Sequence, residues 1–382
     1  MIKNILSGLF TSFISLIVLL LLLEGGVRLF VEESVYIIVL GEDTWAKDDV
    51  TGWTNKSNFE ITRKSRGEWL TFKTNEDGMR PYTAKREKEE NVFRVMLIGN
   101  STVAALDVTE NVSIHYLLDS LLNVDGLTAE VINAGVNGYS TDQTLLALKK
   151  NIELYHPDLV AYGFCMNDLL ANASTSAYGK NKPAYKLENG KLIALPLPAP
   201  NNDIGNSMDK TSIRSIIANS AFYGVLRPYV QKTRMALADQ EKINQGGDFS
   251  YFEKPIDAPE LKLLSLLLLE MENTCEKYGA KFLFYCHPEV ATVWPPYREA
   301  VGYEDLPVDI LENKLKEIAD SDSLEFVPMV DYFLSQLDRG PFHLLPDDPH
   351  CNGQGYLLQA ECLGKFVKQN MREEKDSLTA EN

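Results

Sequence analysis

Residues 93–102 read Phe-Arg-Val-Met-Leu-Ile-Gly-Asn-Ser-Thr, an apolar run that ends in a glycine, an amide and two hydroxyl residues. Such a run, bounded by a turn residue, predicts a buried β-strand. The pattern repeats, because strands predicted at 129–132 and 158–164 alternate with helices predicted at 112–122 and 142–155. Strands that alternate with helices indicate parallel βαβ units.

The alternation stops near residue 170 and resumes near residue 259. The interruption, an insertion at about 171–256, contains Pro-rich and Asn-rich pieces, and a long segment of this kind is often functional. Beyond it we predict helix 259–278, strand 281–285, helix 308–319, strand 324–330 and helix 355–371. The sequence thus predicts a three-layer α/β/α sandwich with a five-stranded parallel sheet, flavodoxin-like in strand order.

Three further segments flank the predicted domain at 91–371. Residues 1–30 contain an uncharged apolar run, Ile5 to Leu23, which is long enough for a transmembrane anchor. A cleaved signal peptide and a buried helix remain the alternatives. Lys3 precedes the run, which favours a cytoplasmic N-terminus and an extracytoplasmic main domain, periplasmic or at the cell surface. Residues 31–90 predict a small β-rich lead, and the charged tail 372–382 is expected to be disordered.

Composition excludes several classes of function. The formal net charge of −17 and the pI of about 4.8 give the chain no electrostatic footprint for nucleic acid. The five cysteines and five histidines are dispersed along the sequence, without a CxxC pair or an HExxH motif. We therefore predict free, structural cysteines, and neither a metal nor an organic cofactor.

Polar residues follow the predicted strands at the edge where their carboxyl ends meet. Ser101 follows the first strand, Gly138 the second and Asn167 the third, while Asp347 and His350 precede the last helix. Parallel sheets collect functional residues at this edge. Histidine titrates near neutrality and can deprotonate a serine hydroxyl, and a carboxylate can orient the histidine.

This set supplies the groups that ester cleavage requires. Ser101 is the predicted nucleophile, His350 the base and Asp347 its partner, although Asp348 is adjacent and only the three-residue spacing selects Asp347. The N–H groups of Ser101 and Gly138 and the side-chain amide of Asn167 are the predicted oxyanion donors.

The four motifs resemble those of the SGNH hydrolases, also called the GDSL esterase/lipase superfamily, from about residue 93 to 368. The resemblance implies a serine esterase in which Ser101, Gly138, Asn167 and an Asp-x-x-His block, Asp347 to His350, form the active site. Anchored bacterial members with similar flanking stretches remove or transfer O-acetyl groups of envelope polysaccharides. The expected partners are therefore a small ester or an acylated glycan, and a membrane through the N-terminal helix.

Two positions depart from the family pattern, and two other functions stay open. Asn100 replaces the usual aspartate before the serine, and Cys165 stands where the third motif usually has glycine. The same triad would serve a polysaccharide O-acyltransferase, because acyl-enzyme chemistry does not choose between water and alcohol. A non-catalytic glycan-binding module is the other alternative. His287 is predicted to be structural. His343 lies near the predicted histidine base in the sequence, and lining of the pocket is an alternative to a structural role.

Overall fold

The computed structural model describes residues 2–31, 44–65, 68–81, 83–124, 128–172, 174–195, 220–226, 249–345 and 348–380. The strands are β1 (Trp45–Asp48), β2 (Gly52–Asn55), β3 (Glu60–Ser65), β4 (Glu68–Lys73), β5 (Phe93–Gly99), β6 (Ala129–Asn133), β7 (Leu159–Phe164), β8 (Ser176–Ala177), β9 (Lys180–Asn181), β10 (Ala184–Glu188), β11 (Lys191–Leu195), β12 (Lys281–Cys286) and β13 (Phe326–Val327).

The labelled helices are α1 (Ile2–Phe30), α2 (Ser101–Ala104), α3 (Ile114–Leu122), α4 (Thr141–Tyr155), α5 (Met166–Ala171), α6 (Pro259–Lys277), α7 (Val290–Val293), α8 (Pro295–Val301), α9 (Ile310–Asp322), α10 (Val330–Leu334) and α11 (Gly353–Ala380). Single 3₁₀ turns occur at Glu110–Val112, Phe249–Glu253 and Leu337–Arg339. Residues 221–226 form a further short helical segment.

The central sheet has five parallel strands in the order β13-β12-β7-β5-β6. Numbered along the chain within this sheet, the order is 2-1-3-4-5 read from β6, which is the flavodoxin-like order that the sequence predicted. β5 lies between β6 and β7, so the carboxyl end of β5 is at the point where the strand order reverses. Ligands bind at this point in open α/β sheets.

Helices cover both faces of the sheet, which explains why its strands are apolar throughout. Every residue of β5 and of β7 is buried. One hydrophobic core joins the sheet to α4, α6 and α9, and a second joins it to α3 and α11. Strands buried on both faces are continuous hydrophobic runs rather than alternating ones, and residues 93–99 have this pattern.

The lead consists of two antiparallel hairpins, β1 with β2 and β3 with β4. A third hydrophobic cluster attaches the first hairpin to the loop after β6: Trp45 and Trp53 pack with Val136 and Tyr139. The β-rich lead is therefore part of the scaffold around the site and does not only connect the N-terminal helix to the sheet.

The N-terminal helix is apolar. Residues Phe10–Phe30 are long and hydrophobic enough to cross a membrane, with a mean hydropathy of 2.2 over the most apolar window, and none of that window is buried. A helix near an N-terminus with these properties fits an anchor or a signal sequence.

Two expectations differ from the structure. The last strand was predicted over 324–330 but covers only Phe326–Val327. The predicted disordered tail begins at 372, whereas α11 continues to Ala380 because residues 372–379 hold no glycine or proline and include good helix formers. Within the insertion, β8–β11 and residues 220–226 are described, and 196–219 and 227–248 lie outside the described residues.

Candidate active site

Ser101 is the first residue of α2 and follows β5 through a tight turn. A Cβ atom at Gly99 would lie 2.6 Å from Val103 Cγ2 and 2.8 Å from the Gly163 carbonyl oxygen, so only glycine fits there. Asn100 caps the helix, because its Oδ1 accepts hydrogen bonds from the Thr102 N–H and hydroxyl, both at 2.9 Å. The turn places the Ser101 hydroxyl at the carboxyl edge of the sheet.

Ser101, His350 and Asp348 form a continuous chain of hydrogen bonds. The Ser101 Oγ lies 2.7 Å from Nε2 of His350, and Nδ1 of His350 lies 2.6 Å from Oδ1 of Asp348. An ionised carboxylate only accepts, so Nδ1 carries the proton and Nε2 is free to accept the serine proton. This is the arrangement that turns a serine hydroxyl into a nucleophile.

The carboxylate in this chain is the neighbour of the predicted one. Asp347, which the sequence predicted for this role, lies outside the described residues, and the described contact to Nδ1 comes from Asp348. Asp348 Oδ1 also accepts the main-chain N–H of His350 at 2.9 Å, so the local turn orients the two side chains together. Asp107 is a further carboxylate nearby, with Oδ2 3.9 Å from Nδ1.

The surroundings of His350 favour its charged form. Burial would lower its pKa, but the hydrogen bond and charge of Asp348, followed by the charges of Asp107 and Glu289, outweigh burial and raise the pKa above the ordinary value. A base whose charged form is stabilised suits a step in which an imidazolium forms. Burial raises the pKa of Glu289 itself to about 6.

The loop after β6 places Gly138 beside Trp45 of the lead and Tyr178 of the insertion. Gly138 has φ +79°, and a Cβ atom there would lie 2.9 Å from Tyr178 Cε2 and 3.0 Å from Trp45 Cζ2. The lead holds this loop, since Trp53 Nε1 donates to the Asn137 carbonyl at 3.1 Å. Asn55 Nδ2 donates to the Gly135 carbonyl at 3.0 Å.

Asn167 lies in the first turn of α5, after β7, and is exposed. The next residue, Asp168, is buried and connects this motif to the serine turn. Its Oδ1 accepts from Asn100 Nδ2 at 2.8 Å, and its Oδ2 accepts from the Tyr162 hydroxyl at 2.9 Å. Burial raises the pKa of Asp168 to about 7, against the lowering effect of these hydrogen bonds.

The three predicted oxyanion donors have no partner within the described part of the chain. No hydrogen bond there uses the main-chain N–H of Ser101 or Gly138, or the side-chain amide of Asn167. The main-chain N–H groups of Ser101 and Gly138 are therefore not engaged by another described residue, and the side-chain amide of Asn167 is exposed to solvent.

Arg80 was not predicted as a supporting residue. Its side chain is buried, donates to the carbonyl oxygens of Ala104 at 2.6 Å and Ala105 at 3.2 Å, and pairs with Glu110. It thereby holds the end of the helix that Ser101 begins. No sequence motif marks Arg80 as a supporting residue, because its partners Ala104, Ala105 and Glu110 come close to it only in the folded chain.

The remaining predictions concern cysteines and two histidines. All five cysteines are buried and free of disulfides, as predicted. Cys165 lies near the site, with Sγ 3.7 Å from Glu289 Oε1. His343 and His287 are both buried, and neither belongs to the hydrogen-bonded chain of Ser101, His350 and Asp348.

No protein-family model and no curated protein matches the sequence. Solved structures of esterases and acylhydrolases, including members described as GDSL proteins, are similar to the chain. An acetyl xylan esterase is 15% identical, with 72% of this chain and 99% of that chain covered and a TM-score of 0.39. A family 3 carbohydrate esterase from Clostridium thermocellum is 14% identical, with 74% and 98% covered and a TM-score of 0.38. A GDSL-like lipase from Bacteroides thetaiotaomicron is 13% identical, with 76% and 93% covered and a TM-score of 0.35.

Proposed function

We propose that this protein is a serine esterase that works through an acyl-enzyme on Ser101. One observation carries the proposal: the serine hydroxyl, the histidine ring and a carboxylate are connected by hydrogen bonds of 2.7 and 2.6 Å at the carboxyl edge of a parallel sheet. This geometry satisfies the requirements for a nucleophile, a base and an orienting group.

The reaction follows from these contacts. His350 Nε2 takes the Ser101 proton as Oγ forms a bond to the ester carbonyl carbon, and Asp348 stabilises the imidazolium. The N–H groups of Ser101 and Gly138 and the Asn167 amide donate to the oxyanion. Collapse of the intermediate expels the alcohol, which receives the proton from His350. Water, deprotonated in turn by His350, then attacks the acyl-enzyme. The Ser101 Oγ leaves and takes this proton back from His350 as the acid is released.

The acyl group is proposed to be short, and acetyl fits best. Support comes from Gly138, where the rings of Trp45 and Tyr178 lie so close that a single added carbon would meet both. The side chain of Tyr178 is 62% exposed beside this glycine, and its exposed aromatic face would suit contact with a sugar ring. We therefore propose an O-acetylated glycan, of the cell envelope, as the substrate class.

Transfer to a sugar hydroxyl is the second candidate, because the same residues would perform it. The described contacts favour neither water nor an alcohol as the acceptor. Incubation with an acetyl ester, with and without a polysaccharide acceptor, separates the two functions: a hydrolase releases free acetate in both cases, whereas a transferase labels the polysaccharide.

We further propose that α1 anchors the protein in a membrane and that the catalytic domain faces away from the cytoplasm. The support is the unburied apolar stretch Phe10–Phe30 and the lysine that precedes it in sequence. Mass analysis of the mature N-terminus tests retention of the helix.

The decisive experiment for the esterase function compares the wild type with Ser101→Ala. We expect the wild type to hydrolyse a short aryl ester and to be labelled by a fluorophosphonate. Ser101→Ala should lose about 10³-fold or more in kcat and all labelling. Ser120→Ala, on the exposed side of α3, is the matched control and should behave as the wild type. Turnover unchanged in Ser101→Ala would refute the mechanism, and a wild type with neither turnover nor labelling would favour a binding module.

A further inference from the structure

Three side chains of types that can bind metals meet in a buried cluster beside the triad, and one of them, His287, lies far from the other two in the sequence. They are His287, which follows β12, and His343 and Cys351, which lie on either side of the loop that contains Asp348 and His350. One donor atom of each lies within 4.8 Å of the other two. Their exposed fractions are 2%, 2% and 0%, so water does not satisfy their polar atoms.

The backbone places two of these side chains together. His343 and Cys351 form an isolated antiparallel bridge, and residues directly opposite each other on paired segments have side chains on the same face. Neighbouring hydrogen bonds hold the pairing: Leu344 N donates to the His350 carbonyl at 2.8 Å, and Asn352 N donates to the Phe342 carbonyl at 3.0 Å. The cluster is therefore built on the same loop that carries His350.

His343 has the hydrogen-bond arrangement that a metal-binding histidine has. Its Nε2 lies 2.9 Å from the Pro288 carbonyl oxygen, which can only accept, so the ring proton is on Nε2. Its Nδ1 then carries a lone pair, and this buried atom has no hydrogen-bond partner. Histidines that bind metals usually donate the other ring N–H to a carbonyl or carboxylate.

A second unpaired acceptor belongs to a side chain that contacts the cluster. Gln359 is fully buried, and its Oε1 has no hydrogen-bond partner. Its Nε2 lies 3.1 Å from Cys351 Sγ and 3.1 Å from His287 Nδ1, so this side chain contacts two members of the cluster. A buried polar atom without a partner costs about 1–3 kcal/mol of stability. A cation at the cluster would satisfy the unpaired Nδ1 of His343.

We propose that Cys351 Sγ, His343 Nδ1 and a ring nitrogen of His287 bind one zinc-class divalent ion, with a water as the fourth ligand. One thiolate and two imidazoles form a borderline-soft donor set that suits Zn²⁺. Binding replaces the Cys351 thiol proton, which leaves to solvent. Donor atoms of a tetrahedral zinc site lie about 3.5 Å apart, so distances between donors of up to 4.8 Å shorten by about 1.3 Å or less.

The ion would be structural rather than catalytic. Cys351 follows His350 directly, and His343 lies across the same loop, so an ion bound there would stabilise the conformation that presents the triad histidine. Sequence spacing gave no sign of this site, because its members come from positions 287, 343 and 351.

The test measures metal binding on the full chain in detergent and does not depend on ester turnover. Chelator-treated protein is titrated with Co²⁺ and with Zn²⁺. We expect one ion per chain and, with Co²⁺, a thiolate-to-metal charge-transfer absorption. Cys351→Ser and His343→Asn should both lose the absorption and stoichiometric binding. Cys275→Ser, which alters a buried thiol outside the cluster, should retain both.

X-ray absorption on the zinc-loaded wild type tests the site without a substitution, so the result does not depend on whether the variants fold. It is expected to show one sulfur at about 2.3 Å and nitrogen ligands at about 2.0–2.1 Å. A wild type that binds no stoichiometric ion would overturn the site. A Cys351→Ser variant that keeps the cobalt absorption, or an ion without a sulfur ligand, would do the same.

Discussion

Asp347 and Asp348 are adjacent in the sequence, and the spacing of the motif alone does not identify which carboxylate contacts His350. Both residues precede His350 in the sequence, and the motif spacing selects the first of them. The main-chain N–H of His350 and its Nδ1 both bond to Oδ1 of Asp348. Aspartates commonly accept from the backbone two residues further on, and this short-range turn brings the Asp348 carboxylate to the His350 ring.

Substitution of each aspartate by asparagine distinguishes the catalytic roles of Asp347 and Asp348. Asp348→Asn keeps the size of the side chain but removes the charge that stabilises the imidazolium, so kcat on a short ester should fall by about 10³–10⁴-fold. Asp347→Asn is the matched control, and kcat should stay close to that of the wild type. If Asp347→Asn were instead the damaging change, the assignment of Asp348 to the triad would be wrong.

Asn100 is a second residue whose role depends on a partner distant in the sequence. The family resemblance would place aspartate here, but in this chain the amide Nδ2 donates to the buried carboxylate of Asp168. An aspartate at 100 would put two carboxylates in direct contact, and they would have to share a proton.

We expect Asn100→Asp to lower the free energy of unfolding by about 1–3 kcal/mol at pH 7. The shared proton is held in the folded state at a pKa above that of the unfolded carboxyl, so the loss should grow as pH rises and shrink towards pH 5. Urea unfolding followed at several pH values measures this. A loss that is independent of pH would show that the contact with Asp168 is not the cause.

At the scale of elements, the lead hairpins and the loop after β6 act as one unit. The sequence predicted β-structure in the lead but not its position against residues 135–139. Trp53, Asn55 and Tyr139 make this connection through hydrogen bonds between the two segments. Periodicity identifies a strand from local residues, whereas contacts between segments some eighty positions apart depend on tertiary packing.

Gly138→Ala tests whether the loop conformation supports catalysis. Positive φ costs an alanine about 1 kcal/mol, and its methyl group would also displace Tyr178 or Trp45 and shift the Gly138 N–H. We expect kcat on a short ester to fall by about 10-fold or more. Gly190→Ala is the control, since it has φ +73° but no atom within 4 Å of the added carbon. It should lose stability without losing kcat, and equal losses of kcat in both variants would contradict the role of Gly138.

At the scale of the whole molecule, the sheet order was predictable because β5, β7 and β12 are apolar runs and amphipathic helices alternate with the strands, even though the insertion separates β7 from β12. β5 and β7 are buried throughout, so no competing amphipathic pattern obscures them. The carboxyl edge then followed from topology, and with it the serine, the glycine and the asparagine. β13 was overestimated because an apolar run continues past the two residues that pair with β12.

The N-terminal helix is connected to the insertion by a described contact, which neither segment's sequence predicted. Glu24 accepts hydrogen bonds from Ser220 Oγ at 2.8 Å, Ala221 N at 2.9 Å and Phe222 N at 3.0 Å. Its carboxylate also pairs with Arg28. A carboxylate that accepts the first N–H groups of a short helical turn acts as its cap.

Glu24→Ala removes this cap, and we expect it to release residues 220–226 from the N-terminal helix. Loss of a capping carboxylate costs about 1 kcal/mol, so the amides of Ala221 and Phe222 should exchange with deuterium about fivefold faster in detergent. Arg28→Ala is the control, because it breaks the ion pair but leaves all three acceptor contacts. Hydrolysis of a soluble ester should be unchanged in both, since Glu24 is not part of the triad. If the amides of Ala221 and Phe222 exchanged equally fast in the wild type, the insertion would not be held by α1. A membrane that contains α1 would then not constrain the position of the insertion.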